Sequence, residues 1–384
     1  MKNISLLFIC LVILSGCKQK ETKQPTIADK LTSEIYLETE IKYAKGFSIQ
    51  TTQTGYYVTI NNPWPDAEKQ YSFKLQRAKT HDRLPDPDAT HVIQIPVNQI
   101  ILSSTTHIPP VVLLKEQSSI IAFPGTDYIS DSSVRALIDS GKIEDLGQNQ
   151  TISVEKVITM QPDAIMGFGV DGDNPVYKQI EKAGIPVIYN GDWTEEHPLG
   201  KAEWIKLFGL LYGKEKEANH IFKNIEQSYL ETKKIAQSLE KPTVIAGATW
   251  KDVWYLPYGN SWQGKIIADA HGNYIYSSTT GTGSLSYNIE RVLTDAQNAA
   301  VWIAPGQYTS YAAMQADNNT YSQFEAFQNK KVYTFALNKG ARGGITYYEE
   351  ASMRPDLVLK DLVKILHKNS LPDHELYFFK PLTD

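Results

Sequence analysis

The order of apolar and polar residues is nearly the same in two distant segments. SVEKVIT at 153–159 leads into the apolar run 164–166, and NIERVLT at 288–294 leads into the apolar run 299–303. In each segment the spacing predicts a short helix, a turn and a buried strand, as in an α/β unit with a parallel sheet. Glu155 and Glu290 lie near the two helix starts, where the helix dipole favours an acid. Capping of its own helix would explain either glutamate alone. Because both glutamates occupy the same place in the two matching segments, they predict two similar lobes and a shared partner.

The rest of the pattern predicts three further regions. Short alternating runs between residues 30 and 100, such as Tyr56–Ile60, predict a β-rich extension. Apolar positions at helical spacing across 198–239, interrupted at Gly209 and Gly213, predict a helix that bridges two lobes. The expected fold class is α/β, with two α/β lobes joined by one long helix and a β-rich N-terminal extension. The expected domains are a signal peptide (1–16), a lipidated tether (17–29), the extension with the N-terminal lobe (30–197), the linking helix (198–239) and the C-terminal lobe (240–384).

The first residues predict export and a lipid anchor. Lys2 precedes the apolar stretch 6–14, which is too short to span a membrane as an ordinary helix. The stretch ends in Leu14-Ser15-Gly16-Cys17, which resembles the lipobox of bacterial lipoproteins, where the chain is cut before the cysteine and the cysteine is acylated. Cys17 is therefore the predicted lipidation site, and the expected location is extracytoplasmic, on a bacterial membrane. A plain secretory signal that happens to contain cysteine is the alternative.

The composition and motifs limit the classes of partner, ligand and enzyme that fit this chain. The chain has 384 residues, a net charge of -5 and 42% hydrophobic residues, which gives no reason to expect nucleic acid as a partner. The 22 tyrosines and 7 tryptophans suit a pocket for a large, flat or greasy ligand. The histidines form no H-E-x-x-H motif, Gly281-Thr282-Gly283-Ser284 lacks the lysine of a P-loop, and there is no G-x-S-x-G elbow. These absences argue against a zinc enzyme, a P-loop enzyme and a hydrolase with a G-x-S-x-G nucleophile elbow.

From about Ile95 to Asn369 the chain resembles the periplasmic binding proteins of ABC importers for vitamin B12, ferric siderophores and haem. The matching features are the lipobox, F-P-G-T at 123–126, the paired V-E-K-V and I-E-R-V units, G-L-L-Y-G-K-E at 209–215 and A-S-M-R-P at 351–355. The resemblance implies a bulky ligand held between the lobes and an ABC permease as partner. It also implies that Glu155 and Glu290 dock against arginines of that permease. No catalysis, no cofactor and a monomer are expected.

The ligand cleft is expected at the carboxyl ends of the strands. The candidates after strands are Tyr128, Phe168, Trp250, Gln307 and Tyr308, and Tyr347 and Tyr348 precede the last helix. Lys251, and Lys339 and Arg342 on a glycine-rich loop, are expected to add positive charge near an anionic ligand. Each aromatic residue alone is better explained as part of a core or surface, and their recurrence at strand ends makes a ligand contact an equally good explanation.

The sequence does not select a single ligand. The cations favour an iron complex, either a ferric siderophore or haem, and cobalamin is the alternative. An extracytoplasmic enzyme on a similar scaffold would use Asp127, Asp171 or Glu349 as acid or base, because a fold does not determine a function. A surface adhesion or assembly lipoprotein would bind no small molecule.

Overall fold

The computed structural model describes residues 39–65, 67–77, 91–169, 172 and 174–384. The predicted signal peptide and tether, with Cys17, lie outside these residues, and so does Asp171. No helix in the described part of the chain is both long and apolar enough to cross a membrane.

The first region is a four-stranded sheet. Its strands, in spatial order, are β1 (Phe47–Thr52), β2 (Gly55–Ile60), β3 (Tyr71–Arg77) and β4 (His91–Ile95). The first three pair antiparallel, whereas β3 and β4 run parallel. Tyr56, Val58 and Ile60 alternate inward along β2, which is the period of a strand with one covered face. The predicted β-rich extension is present.

The N-terminal lobe is built on a parallel five-stranded sheet in the order β7-β6-β5-β8-β9. Its strands are β5 (Ile100–Leu102), β6 (Ile120–Phe123), β7 (Glu144–Asp145), β8 (Ala164–Gly167) and β9 (Val187–Tyr189). Its helices are α1 (Ile108–Leu113), α2 (Ser132–Asp139), α3 (Val154–Met160) and α4 (Pro175–Lys182). Short 3-10 turns occupy Thr105–His107, Gln117–Ser119, Thr126–Tyr128, Asn149–Thr151 and Asp192–Thr194.

Three helices follow where one long linking helix is predicted. They are α5 (Pro198–Glu203), α6 (Ile205–Tyr212) and α7 (Glu215–Ala236), and α7 has 22 residues. Gly213 ends α6 with φ 64°, a left-handed conformation that favours glycine. The predicted break at Gly209 is wrong, because Gly209 lies inside α6. A Cβ there would come within 2.5 Å of the Ala218 side chain, so the missing side chain lets α6 and α7 pack closely.

The C-terminal lobe has a five-stranded sheet in the order β13-β10-β15-β16-β17, parallel except for β17. A second sheet, β11-β12-β14, is antiparallel and follows directly from β10. The strands are β10 (Thr243–Ala246), β11 (Ala248–Trp250), β12 (Val253–Pro257), β13 (Asn273–Tyr274), β14 (Ser284–Tyr287), β15 (Val301–Ile303), β16 (Val332–Thr334) and β17 (Lys380–Pro381). The helices are α8 (Trp262–Asp269), α9 (Ile289–Ala296), α10 (Tyr311–Asp317), α11 (Glu325–Gln328), α12 (Thr346–Glu350) and α13 (Pro355–Leu366), with a 3-10 turn at Asn319–Gln323. The predicted fold class, two α/β lobes with a β-rich extension, is confirmed.

Candidate functional site

A large cavity lies in the C-terminal lobe, at the carboxyl ends of β10 and β15. It holds about 840 Å³. Its floor is apolar and includes Ile266, Ile267, Val358, Leu362 and Phe379, all buried. Most of the predicted ligand residues line it together: Trp250, Lys251, Gln307, Tyr308, Tyr347 and Tyr348. Lys251 and Asp317 are the charged residues in its lining, so its wall is mainly aromatic, apolar and neutral.

A tight turn places Trp250 and Lys251 at the mouth of this cavity. Trp250 pairs with Val253 across the hairpin of β11 and β12, and the two turn residues Lys251 and Asp252 have φ of 49° and 67°. Two positive φ values in a two-residue hairpin turn suit glycine or asparagine, so lysine and aspartate are strained here. The turn leaves the Trp250 side chain 68% exposed, with the Lys251 ammonium 6.0 Å from its ring centroid.

Tyr347 and Tyr348 are neighbours with different environments. Tyr347 is buried and stacks on Phe335 with ring centroids 4.4 Å apart, whereas Tyr348 is 49% exposed. Burial raises the pKa of both phenols, and it raises the pKa of Tyr308, whose hydroxyl also donates to Asp317. In the absence of a metal these tyrosines are therefore protonated at neutral pH and can donate hydrogen bonds.

The N-terminal lobe offers a shallower surface to the same cleft. Tyr128 and Phe168 line a hollow of about 250 Å³ together with Tyr348. Tyr128 ends the 3-10 turn that follows β6 and is 70% exposed. The structure thus brings Tyr128 and Phe168 to the opposite side of Tyr348 from the deep cavity.

The glycine-rich loop that carries Lys339 and Arg342 packs against the N-terminal lobe. The Ser130 hydroxyl donates to the Gly344 carbonyl at 3.1 Å, and a Cβ on Gly340 would come within 2.7 Å of Ser130. The Arg342 guanidinium lies 3.9 Å from the Asp139 carboxylate. The loop is therefore an interlobe contact in this structure and does not bring Arg342 into the lining of the cleft.

Glu349 holds the lobes together at the same place. Its carboxylate accepts hydrogen bonds from the backbone N–H groups of Ser130 at 2.5 Å and Asp131 at 3.0 Å. Burial raises the pKa of Glu349 to about 7, against those two hydrogen bonds. A structural contact therefore accounts for the buried position of Glu349. Asp127, the other candidate acid among the described residues, is exposed.

The sequence did not predict a second groove, of about 530 Å³, which shares Gln263, Tyr347 and Tyr348 with the deep cavity. Trp193 from the N-terminal lobe and Trp262 from the start of α8 line it. Across it, Lys265 and Glu196 form an interlobe ion pair at 3.1 Å. Trp262 could have been assigned to a helix start from the sequence, because it directly follows Ser261, whose side chain caps α8. Nothing in the pattern around Trp193 separates it from a core tryptophan.

The paired acids occupy matching positions. Ser153 and Asn288 cap α3 and α9 by accepting from the N–H of Lys156 and Arg291, and Glu155 and Glu290 are both exposed in the first turns. Neither acid is among the residues that line the cavity, the hollow or the groove described above. Among the described residues, His, Cys, Asp and Glu form no group of three able to hold a metal ion.

Comparison with known proteins gives one family. The model of the family described as periplasmic binding protein matches residues 102–336. An uncharacterised lipoprotein of Methanocaldococcus jannaschii is 26% identical over 98% of this chain and 96% of its own. A vitamin B12-binding protein of Vibrio parahaemolyticus is 20% identical over 51% of this chain and 68% of its own. A solved structure from Saccharomonospora viridis, described as an ABC-type Fe3+-hydroxamate transport system, has a TM-score of 0.53 at 16% identity, covering 71% of this chain and 94% of that one.

Proposed function

We propose that this chain, which belongs to the periplasmic binding protein family, captures a bulky iron complex between its lobes and delivers it to an ABC permease. Cys17 would anchor it by lipid outside the cytoplasm, and similarity to proteins named lipoproteins supports this. Glu155 and Glu290 would dock the two lobes on the permease. The protein would act by binding and release, without catalysis.

The observation that carries the proposal is the aromatic cavity of about 840 Å³ at the strand ends of the C-terminal lobe. Its volume lies in the upper range of small-molecule sites. Trp250 and Tyr348 offer exposed ring faces at its mouth, and stacking on such faces adds affinity beyond the area buried.

The neutral wall indicates which iron complex fits. Lys251 and Asp317 carry opposite charges, and Arg342 lies against Asp139. A strongly anionic complex would lose its hydration with little charge to replace it. An uncharged ferric hydroxamate therefore fits better than haem, whose propionates are ionised.

Cobalamin is the second candidate, and the same neutral wall favours it. Its amide side chains can hydrogen-bond to Gln263, Gln307 and Thr249, which line the cavity. The similarity to a vitamin B12-binding protein over half of this chain supports it too.

Calorimetric titration of the full chain, purified in detergent, tests the proposal. The probes are an uncharged ferric trihydroxamate, haemin and cobalamin. We expect the trihydroxamate to bind at micromolar concentration or tighter, and Trp250→Ala to weaken it about tenfold. Leu230→Ala is the control, because Leu230 is 44% exposed on α7. Binding of cobalamin alone would select the second candidate, and no heat with any probe would overturn the proposal.

A further inference from the structure

The extension sheet reaches the ligand cleft. The turn after β2 places Asn62, Trp64 and Pro65 in the lining of the groove of about 530 Å³. The groove and the deep cavity share Gln263, Gly283, Ser284, Tyr347 and Tyr348, so they are adjacent. This turn precedes residue 102, where the family match begins.

Buried acids fix the extension to the body of the protein. Glu203 accepts hydrogen bonds from the backbone N–H groups of Lys42, Tyr43 and Ala44 at 2.6–3.0 Å. The Glu195 carboxylate accepts from the N–H of Gly46 at 2.8 Å. Charge-assisted bonds to buried carboxylates are the stronger kind of hydrogen bond, so the start of the extension has a defined position.

The turn itself also has a defined position. The Thr194 hydroxyl, whose shorter hydrogen bond goes to the Gly191 carbonyl at 2.8 Å, lies 3.3 Å from the Asn62 carbonyl oxygen. Gly191 has no room for a side chain, because a Cβ would come within 2.2 Å of that same carbonyl oxygen. The Trp64 ring meets Tyr189 edge-on at 5.5 Å. The exposed Asn62 side chain therefore stands on a rigid support at the edge of the groove.

The charges that line the groove already have partners. Glu196 pairs with Lys265, the Lys201 ammonium donates to the Asp192 carbonyl at 2.8 Å, and Glu195 accepts the bonds described above. What remains for a ligand is the rings of Trp193 and Trp262, the amide of Asn62 and the hydroxyl of Thr282. Such a surface suits an uncharged, flat, hydrogen-bonding group.

We propose that the extension forms a third wall of the ligand site, and that this groove receives an uncharged amide-bearing arm of the ligand whose body fills the C-terminal cavity. The inference rests on the proposed function. Amide arms occur on cobalamin and on peptide-like hydroxamate complexes, and the two sources share the chemistry that Asn62 would recognise. A ligand without arms would leave the groove empty.

Two variants of Asn62 test this wall by calorimetry. Asn62→Trp fills the groove and should weaken an amide-bearing ferric trihydroxamate, or cobalamin if that is the probe bound, about tenfold. Asn62→Leu keeps the size and removes the amide, and should weaken it about fivefold. The small complex ferric tris(acetohydroxamate) has no arms, so both variants should bind it as the wild type does. Gln50→Trp, exposed on β1 of the same sheet, is the matched control.

The outcomes separate the two proposals. If the wild type binds none of the probes, the proposed function fails. If the wild type binds and both folded Asn62 variants bind equally well, only the third wall is overturned. Equal weakening of the large and small complexes would also overturn it, because the effect would then not involve an arm. Thermal unfolding of each variant checks that it folds, and Asn62→Leu decides if Asn62→Trp does not.

Discussion

The two lobes repeat one structural unit but present different surfaces to the cleft. The unit agrees down to single hydrogen bonds: the hydroxyls of Thr159 and Thr294 donate to the carbonyls of Glu155 and Glu290, at 2.9 Å in both copies. After the first strand that reaches the cleft, the lobes differ. In the N-terminal lobe β5, which pairs with β8, passes into the 3-10 turn Thr105–His107, whereas in the C-terminal lobe β10, which pairs with β15, passes into the antiparallel sheet β11-β12-β14.

That inserted sheet accounts for the asymmetry of the site. Trp250, Tyr255, Leu256 and Pro257 come from it and line the deep cavity, while the N-terminal hollow holds about 250 Å³. The repeated helices, with Glu155 and Glu290, are therefore expected to contact a partner that touches both lobes. The inserted sheet of the C-terminal lobe is expected to contact the ligand, so most of the binding affinity should come from that lobe.

Blocking the C-terminal cavity is expected to have the largest effect. Gln263 is exposed on α8 at the junction of the cavity and the groove, and Gln263→Trp should weaken the bound probe about 100-fold by occupying the ligand's place. Phe168→Ala, on the N-terminal side, should weaken it only about threefold. Calorimetry measures both. Ala268→Trp, exposed on the same helix, is the control. Similar losses for Gln263→Trp and Phe168→Ala would show that the lobes contribute equally.

The repeated unit could be predicted from sequence because its determinants are local. Ser153 and Asn288 cap helices within three residues, and a strand follows each helix after one turn. The end of β15 likewise placed Gln307 at the cleft, since parallel strands end at one edge of a sheet, whereas Trp250 lies in the antiparallel hairpin and Tyr348 in α12.

The position of Arg342 and the third wall could not be predicted. Both depend on contacts between residues far apart in the chain, such as Gly344 with Ser130 and Asn62 with Thr194. A glycine-rich loop has the same pattern whether it covers a ligand or packs on another lobe. The role of Gly209 could not be predicted either, because it depends on the close approach of the Ala218 side chain from α7.

Removing both paired acids is expected to have an intermediate effect, on transport alone. Glu155→Ala with Glu290→Ala should lower uptake of the bound probe about tenfold and leave its affinity unchanged, since both acids are exposed on helix starts. Radiolabelled uptake in the native host and calorimetry measure the two quantities. Glu217→Ala with Glu325→Ala is the control pair, also exposed acids in first turns. A loss of affinity in the first pair, or an equal loss of uptake in the control pair, would contradict docking through equivalent sites.

The smallest expected effect concerns the contact that joins the lobes at Glu349. Its folded pKa is raised by burial from 4.5 to about 7, so the folded protein holds this proton more tightly than the unfolded chain does. The stabilisation is complete below about pH 4.5 and is lost as pH rises through about 7. Between pH 5.5 and 7.5 the wild type should lose about 2 kcal/mol of unfolding free energy relative to Glu349→Gln, which cannot ionise.

Denaturant unfolding of both proteins at several pH values measures that difference. Glu350 and Asp131 face the same carboxyl and add to its raised pKa, so their repulsion is part of the measured difference, whereas their own titration is common to both proteins. Glu350→Gln is the control, and its pH dependence should stay close to that of the wild type. If Glu349→Gln and the wild type lose stability in parallel, Glu349 is ionised throughout this range. The backbone N–H groups of Ser130 and Asp131 would then outweigh burial, and the lobes would be held by a charged contact instead of a protonated one.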